Sequence, residues 1–234
     1  MTSARPTPPA AGAIETIKAR IGPLEHRLMN AMSDYGERRG IDWLTYNPLR
    51  MRQFHRYAAR DAPGAMRAFS SVFPEARSFV DVGCGSGAYG AEAIRQGHHA
   101  IGCERSRVGR LLARRQGLAC VPFDLSREPP AEIDRSFDLA YTFEVAEHLP
   151  APLGDRLVSF IAKLAPTVVF SAATPGQGGT GHVNEQPPGY WHERLASAGQ
   201  RHDPDASERL RAAFASEGVE GVWLLENVNV YRRG

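Results

Sequence analysis

The stretch VDVGCGSGAYG, residues 80–90, ends an apolar run that begins at Ser78 and sets Gly83, Gly85, Gly87 and Gly90 close together. Glycine destabilises regular structure, so such a cluster marks backbone that turns sharply or lets a ligand approach closely. A glycine turn directly behind an apolar strand has a definite place in α/β sheets, at the ligand-binding edge. Which ligand it meets depends on where the strand ends, and the rest of the chain must decide that.

Downstream, short apolar runs alternate with amphipathic stretches. SFVDV (78–82), HAIGCE (99–104), ACVPFD (119–124), FDLAYTF (137–143) and TVVFSAA (167–173) are expected strands, with helices around 88–96, 106–116 and 153–164. This alternation predicts a doubly wound, Rossmann-like α/β domain with a mostly parallel sheet of about seven strands. YWHERLASAG (190–199) and ASERLRAAFASEG (206–218) are expected helices, each ending on a glycine C-cap. GVWLLENVNVYRR (221–233) reads as one long final strand, antiparallel at or near an edge.

Upstream, residues 13–73 read as helical. One element is broken near Gly22-Pro23, a second starts from Asn47 as N-cap with Pro48 in the first turn, and a third covers 62–73. Residues 1–12, rich in Pro, Ala and Thr, read as a disordered tail. The expected organisation is tail 1–12, N-terminal helical lid 13–73 and α/β domain 74–234.

Two registers compete for the glycines. GSGAYG (85–90) matches the GxGxxG fingerprint of dinucleotide enzymes. That register leaves Asp81 and Gly83 inside the strand, where glycine weakens pairing and a carboxylate is costly. The other ends the strand at Asp81 and makes Gly83, Gly85 and Gly87 the turn, with the carboxylate free to face a cation. In that register the stretch resembles motif I of class I S-adenosylmethionine-dependent methyltransferases. Glu104 ends the second strand 104 − 85 = 19 residues after Gly85, where an acid meets ribose hydroxyls in either register. FDL (123–125) resembles the motif whose aspartate, here Asp124, takes the adenine amino group. FDLAYTFEVAEHLP (137–150) resembles the fourth-strand motif of small-molecule methyltransferases, with its E-x-x-E-H-L ending. The resemblance covers about residues 75–233. It implies S-adenosylmethionine as cofactor, held by Asp81, Gly83, Gly85, Gly87, Glu104, Asp124 and Glu144.

The acceptor then belongs at the fourth and fifth strand ends. Glu144, Glu147 and His148 stand on one side there and the loop TPGQGGTGHVNEQPPGYW (174–191) on the other. That loop resembles one in a bacterial methyltransferase group of small-molecule and glycan pathways. His148 and His182 are the candidate catalytic bases. Asn184, Glu185 and Tyr190, with Tyr46 and Tyr57 from the helical lid, are candidate acceptor contacts; Trp43 and Phe54 are further lid aromatics. Each also has a plain structural reading, as turn anchor or core aromatic. Arg52, Arg56 and Arg60, like Arg107, Arg110 and Arg114, fall on single helix faces and read as solvated stripes.

Composition excludes several classes. A formal net charge of +2 suggests neither a nucleic-acid groove nor a polybasic membrane anchor. No apolar run approaches the roughly 20 residues that span a bilayer, and the N-terminus lacks a secretory signal pattern. Cys84, Cys103 and Cys120 are an odd set without CxxC spacing, which argues against a disulfide framework or zinc site, and no metal is expected. The expectation is a cytoplasmic enzyme that methylates an oxygen or nitrogen of a small molecule, with no nucleic-acid or membrane partner and an oligomeric state left open. Alternatives are cyclisation or lyase chemistry releasing methylthioadenosine, a non-catalytic S-adenosylmethionine-binding module, and an NAD(P)-dependent oxidoreductase.

Overall fold

The computed structural model describes residues 11–127, 133 and 136–234, so most of the expected tail lies outside the described residues. Helices α1 (Ala11–Arg39), α2 (Asp42–Thr45) and α3 (Pro48–Val72) precede the sheet. They are followed by β1 (Ser78–Val82), α4 (Ala88–Arg95), β2 (His99–Glu104), α5 (Arg107–Arg115), β3 (Ala119–Pro122) and β4 (Leu139–Phe143). The chain continues with α6 (Ala151–Leu164), β5 (Thr167–Ser171), α7 (Pro188–Ser197), β6 (Gln200–Asp203), α8 (Pro204–Ser216), α9 (Val222–Leu225) and β7 (Asn229–Arg233).

The seven strands form one sheet in the order β3-β2-β1-β4-β5-β7-β6. Strands β1 to β5 pair in parallel, while β7 runs antiparallel to both β5 and β6. The order reverses between β1 and β4, and the crevice beyond the carboxyl ends of those two strands is where such sheets take their ligands. Alternate side chains feed two cores, as a pleated strand requires. Phe79, Leu139, Tyr141 and Val169 face α3, α4 and α8, while Val80, Val82, Ala140, Val168 and Phe170 face α6 and α7. Phe69 of α3 is fully buried in the first core, its ring 5.5 Å from Tyr141 and stacked 6.0 Å from Phe214. Truncating such a residue costs about 3–5 kcal/mol.

Several expectations on the helices and the last strand are corrected. α1 runs unbroken through Pro23, and α3 is one helix from 48 to 72 where two were expected. Asn47 caps α3 as anticipated, accepting from the Leu49 and Arg50 amides, and its own amide donates to Leu44 O (3.0 Å) and Ser33 Oγ (3.1 Å). That buried asparagine ties α1, α2 and α3 together. Ala62, Ala65, Met66 and Phe69 of α3 pack in the same core as the sheet. The expected strand 221–233 is shorter: VWLL forms α9 and β7 begins at Asn229. A short apolar run does not distinguish helix from strand by period. Strand β6, QRHD, carries no apolar alternation and was not anticipated.

Candidate active site at the reversal of the sheet

The turn after β1 follows the second register. Gly83, Gly85 and Gly87 have φ of +80°, +52° and +76°, values that suit glycine and strain other residues. The Gly83 and Cys84 amides both donate to Cys103 O (2.8 and 3.0 Å), which binds the turn to β2. The glycines differ in surroundings. A Cβ on Gly83 would meet Val145 Cγ2 at 2.5 Å, and one on Gly87 would meet Ala113 Cβ at 2.6 Å. A Cβ on Gly85 would find only Met51 Cε, at 3.9 Å. Space is therefore left above Gly85, the middle of the turn.

Around that space stand two acids. Asp81 is buried on the α3 side of β1, and its Oδ2 has no hydrogen-bond partner. Burial pushes its carboxyl up to about 8; the Tyr141 hydroxyl beside it opposes the rise. A buried, unsatisfied carboxylate at a strand end suits a cationic group. Glu104 accepts from the Gly85 amide at 2.8 Å through Oε2 and from the Ser106 amide at 2.6 Å through Oε1. Each oxygen keeps a further lone pair for a hydroxyl. The open place above Gly85, the orphaned Asp81 oxygen and the acceptor-rich Glu104 fit S-adenosylmethionine, which carries an ammonium and two ribose hydroxyls. Asp124 lies just beyond β3 and accepts from the Ser126 amide (2.9 Å) and hydroxyl (2.7 Å), a turn-forming arrangement that holds its carboxyl below the usual range. Cys84 is buried with Sγ 3.6 Å from Cys120 Sγ; that contact and burial raise its thiol well above the ordinary value, leaving it an inert filler.

The other half of the crevice is built on the turn after β4. Glu144, at φ +52°, is the one residue other than glycine with positive φ among those described, a conformation costing on the order of 1–3 kcal/mol. Its amide donates to Ser171, while its carboxylate accepts from Gln177 Nε2 at 2.9 Å and Asn227 Nδ2 at 3.4 Å. Burial raises its carboxyl, and these donors partly offset that. Glu147 is fully buried, and neither of its carboxylate oxygens meets a donor in good hydrogen-bond geometry, with the Glu147 and Ala173 amides and the Glu144 carboxylate close by. Burial first, then the Glu144 charge, push it well above the ordinary range. Its backbone carbonyl accepts from the Val183 and Asn184 amides (2.8 and 3.0 Å), which pins the 174–187 loop over it.

That loop delivers His182 to His148, ring centroids 4.8 Å apart and edge to face. His148 Nδ1 lies 3.1 Å from Gly181 O; burial, with His182 nearby, lowers its pKa to about 4, so the ring is neutral at ordinary pH. His182 Nδ1 lies 2.8 Å from Glu185 Oε1. Glu185 also accepts from the Gly176 (2.9 Å) and Gly178 (2.7 Å) amides, so it organises the glycine segment as well as the histidine. The His182 ring sits against Gly179, where any Cβ would collide with it.

Of the residues expected around the acceptor, the fold gathers Glu144, His148, His182 and Glu185, with Tyr46 edge-on to His148 at 6.3 Å. Tyr57 is instead exposed beside Trp223 (6.1 Å), and Tyr190 packs on Trp191 under the Arg194 guanidinium (3.3 Å from its centroid). Asn184 is buried, with its Nδ2 facing Gly154 of α6. Trp43 and Phe54 are exposed. Gln177, Asn227 and Ser171 were not anticipated. Their contacts to Glu144 join loop, C-terminal turn and β5, and no local pattern announces that meeting.

The fold and this edge define a class I, S-adenosylmethionine-dependent transferase. The chain belongs to the methyltransferase-domain family, whose profile matches residues 50–218, and its cofactor is S-adenosylmethionine. Dinucleotide oxidoreduction is thereby set aside. Among solved structures, the chain is similar to a sugar N-methyltransferase from Streptoalloteichus, at 17% identity over 76% of this chain and 87% of that one, with TM-score 0.55. A TehB-like SAM-dependent methyltransferase from Corynebacterium glutamicum matches at 18% identity over 73% and 88%, with TM-score 0.54. An O-methyltransferase family protein from Burkholderia thailandensis matches at 14% identity over 81% and 61%, with TM-score 0.59. A search of curated proteins returns no match. No helix among the described residues is long and apolar enough to cross a membrane.

Proposed function

We propose that the enzyme methylates an oxygen or nitrogen nucleophile of a small molecule bound over His148 and His182. The observation that carries this reading is the polar corner after β4, where His182, oriented by Glu185 at 2.8 Å, meets His148, which Tyr46 contacts edge-on. In this reading Asp81, the glycine turn, Glu104 and Asp124 hold the donor, and Glu144 closes its acceptor end. The sugar acceptor named for one structural relative is in keeping with it.

The bound donor supplies a methyl group already activated on a sulfonium. The chain's main task is then alignment of nucleophile and methyl carbon, which contributes up to roughly 7–11 kcal/mol. His182 is the proton acceptor that the geometry favours. Glu185 accepts the hydrogen bond from Nδ1–H and so stabilises the imidazolium that forms as Nε2 gains the acceptor's proton. The acceptor's lone pair forms the new bond to carbon while the carbon–sulfur pair returns to sulfur. His148, with its low pKa, is a weak base and serves as a hydrogen-bond acceptor.

The test compares two variants with one acceptor. His182→Ala should lower turnover about 100-fold or more and leave binding of S-adenosylhomocysteine within about twofold. His148→Ala should lower turnover less. A large loss of donor affinity in His182→Ala with normal turnover at saturation would assign the loop to the donor and contradict the reading.

A further inference from the structure

Glu147, His148 and His182 each bring one ligand atom to within 4.8 Å of the others. Their surroundings prepare all three as donors. Glu147 is fully buried and neither of its oxygens meets a donor in good hydrogen-bond geometry, although the Glu147 and Ala173 amides and the Glu144 carboxylate lie close, a costly state unless a cation or proton answers it. His148 points Nδ1 at the Gly181 carbonyl, 3.1 Å away, and a carbonyl can only accept. Its Nδ1 therefore carries the hydrogen, and Nε2 keeps the lone pair. His182 points Nδ1 at the Glu185 carboxylate, 2.8 Å away, so its Nδ1 carries a hydrogen too and Nε2 faces away from that bond. Histidines that bind metal are oriented in this way, by a carbonyl or carboxylate on the other ring nitrogen.

We propose that Glu147, His148 and His182 form a site for one divalent first-row transition-metal ion, open toward the acceptor. Two imidazole nitrogens and one carboxylate suit Mn²⁺, Fe²⁺, Co²⁺ or Zn²⁺, whereas Mg²⁺ and Ca²⁺ prefer oxygen. Three protein donors leave coordination positions for a further oxygen. Donors held about 2.0–2.2 Å from one ion lie at most about 4.4 Å apart, so a small side-chain closure completes the set. Linear spacing hides the site, because His182 lies on a loop 182 − 148 = 34 residues beyond His148. An acceptor hydroxyl that reaches such an ion becomes easier to deprotonate. With the ion bound, His182 is a ligand in place of the proton acceptor proposed above, the acceptor is an oxygen nucleophile, and its proton passes to solvent.

The test uses the full chain, freed of metal by a chelator that is then removed, with Mn²⁺, Co²⁺ or Zn²⁺ alone as probe. Titration calorimetry should give one ion per chain. Glu147→Gln keeps the shape and removes the charge, and should weaken binding by more than the roughly 10- to 100-fold that outer-shell changes cost. His192→Ala, in the separate stacked His192–His202 pair (centroids 4.1 Å apart), should leave it unchanged. Should Glu147→Gln fail to fold, Mn²⁺ broadening of the His148 and His182 ring resonances in the unaltered protein decides the matter. Absence of stoichiometric binding, equal binding by Glu147→Gln, or broadening centred on His192 and His202 would overturn the proposal. None of these readouts needs methyl transfer. A failed metal test leaves the proton-acceptor role of His182 standing, and failed methylation leaves the metal site standing.

Discussion

The Glu104 carboxylate accepts a 2.8 Å hydrogen bond from the amide of Gly85, joining the end of β2 to the middle of the glycine turn after β1. The two strands pair in parallel alongside, with Val82 opposite Cys103, so the bond closes a rigid frame at one side of the donor site. One side chain thus shapes the turn and offers lone pairs to a ribose.

Glu104→Ala should therefore act on the donor and not on the chemistry. Loss of charge-assisted hydrogen bonds of this kind costs about 1.5–3 kcal/mol, or roughly 10- to 150-fold in affinity. Kinetics should show a raised KM for S-adenosylmethionine and a nearly unchanged kcat at saturation. An unchanged KM would remove Glu104 from the donor site.

The glycines should separate by surroundings. Gly85→Ala introduces a methyl group into open space, at a φ that costs on the order of 1–2 kcal/mol. The protein should stay folded while donor binding is lost. Gly87→Ala drives a Cβ into Ala113 and Leu118, so its melting temperature should fall further than that of Gly85→Ala. Calorimetric binding beside thermal melts measures both. Near-normal donor affinity in Gly85→Ala would mean that this position is architectural only.

Asp81 gives the account a pH signature. Its folded pKa of about 8 stands above the unfolded reference of 3.8, so the native state holds a proton that the unfolded state has lost between those values. Stability from this group is fully present below the unfolded pKa and is lost as pH rises through about 8. Asp81→Asn should flatten that decline in melts against pH. A donor ammonium stabilises the carboxylate, so binding near neutral pH should release a proton in the wild type and less in Asp81→Asn. Calorimetry in buffers of different ionisation enthalpy reads that proton. Parallel pH curves for the two proteins would contradict the placement of Asp81.

The parts legible in sequence are those in which local chemistry repeats. β1, β2, β4 and β5 are mostly apolar runs because helices cover both faces. The glycine turn and Glu104 stand at offsets set by one strand-turn-helix unit, and they could be found without a structure. β6 was hidden because its four residues, Gln200 to Asp203, form a polar edge strand. VWLL concealed α9 because four apolar residues have no readable period. The acceptor corner was half legible. His148 and His182 stood out by type, whereas the burial of Glu147 depends on loop amides of Val183 and Asn184 closing over its carbonyl. Tyr46 and Tyr57 looked alike in sequence; only the first reaches a histidine, since the second lies along α3 beside Trp223.

The most direct test of the central claim is the fate of the methyl group. Purified enzyme is incubated with S-adenosylmethionine labelled in that methyl, with a pool of small metabolites, and products are identified by mass spectrometry. The account requires S-adenosylhomocysteine and a labelled, methylated small molecule in equal amounts, both lost in Gly85→Ala. Methylthioadenosine in place of S-adenosylhomocysteine, or label that never leaves the donor, would contradict methyl transfer by this chain.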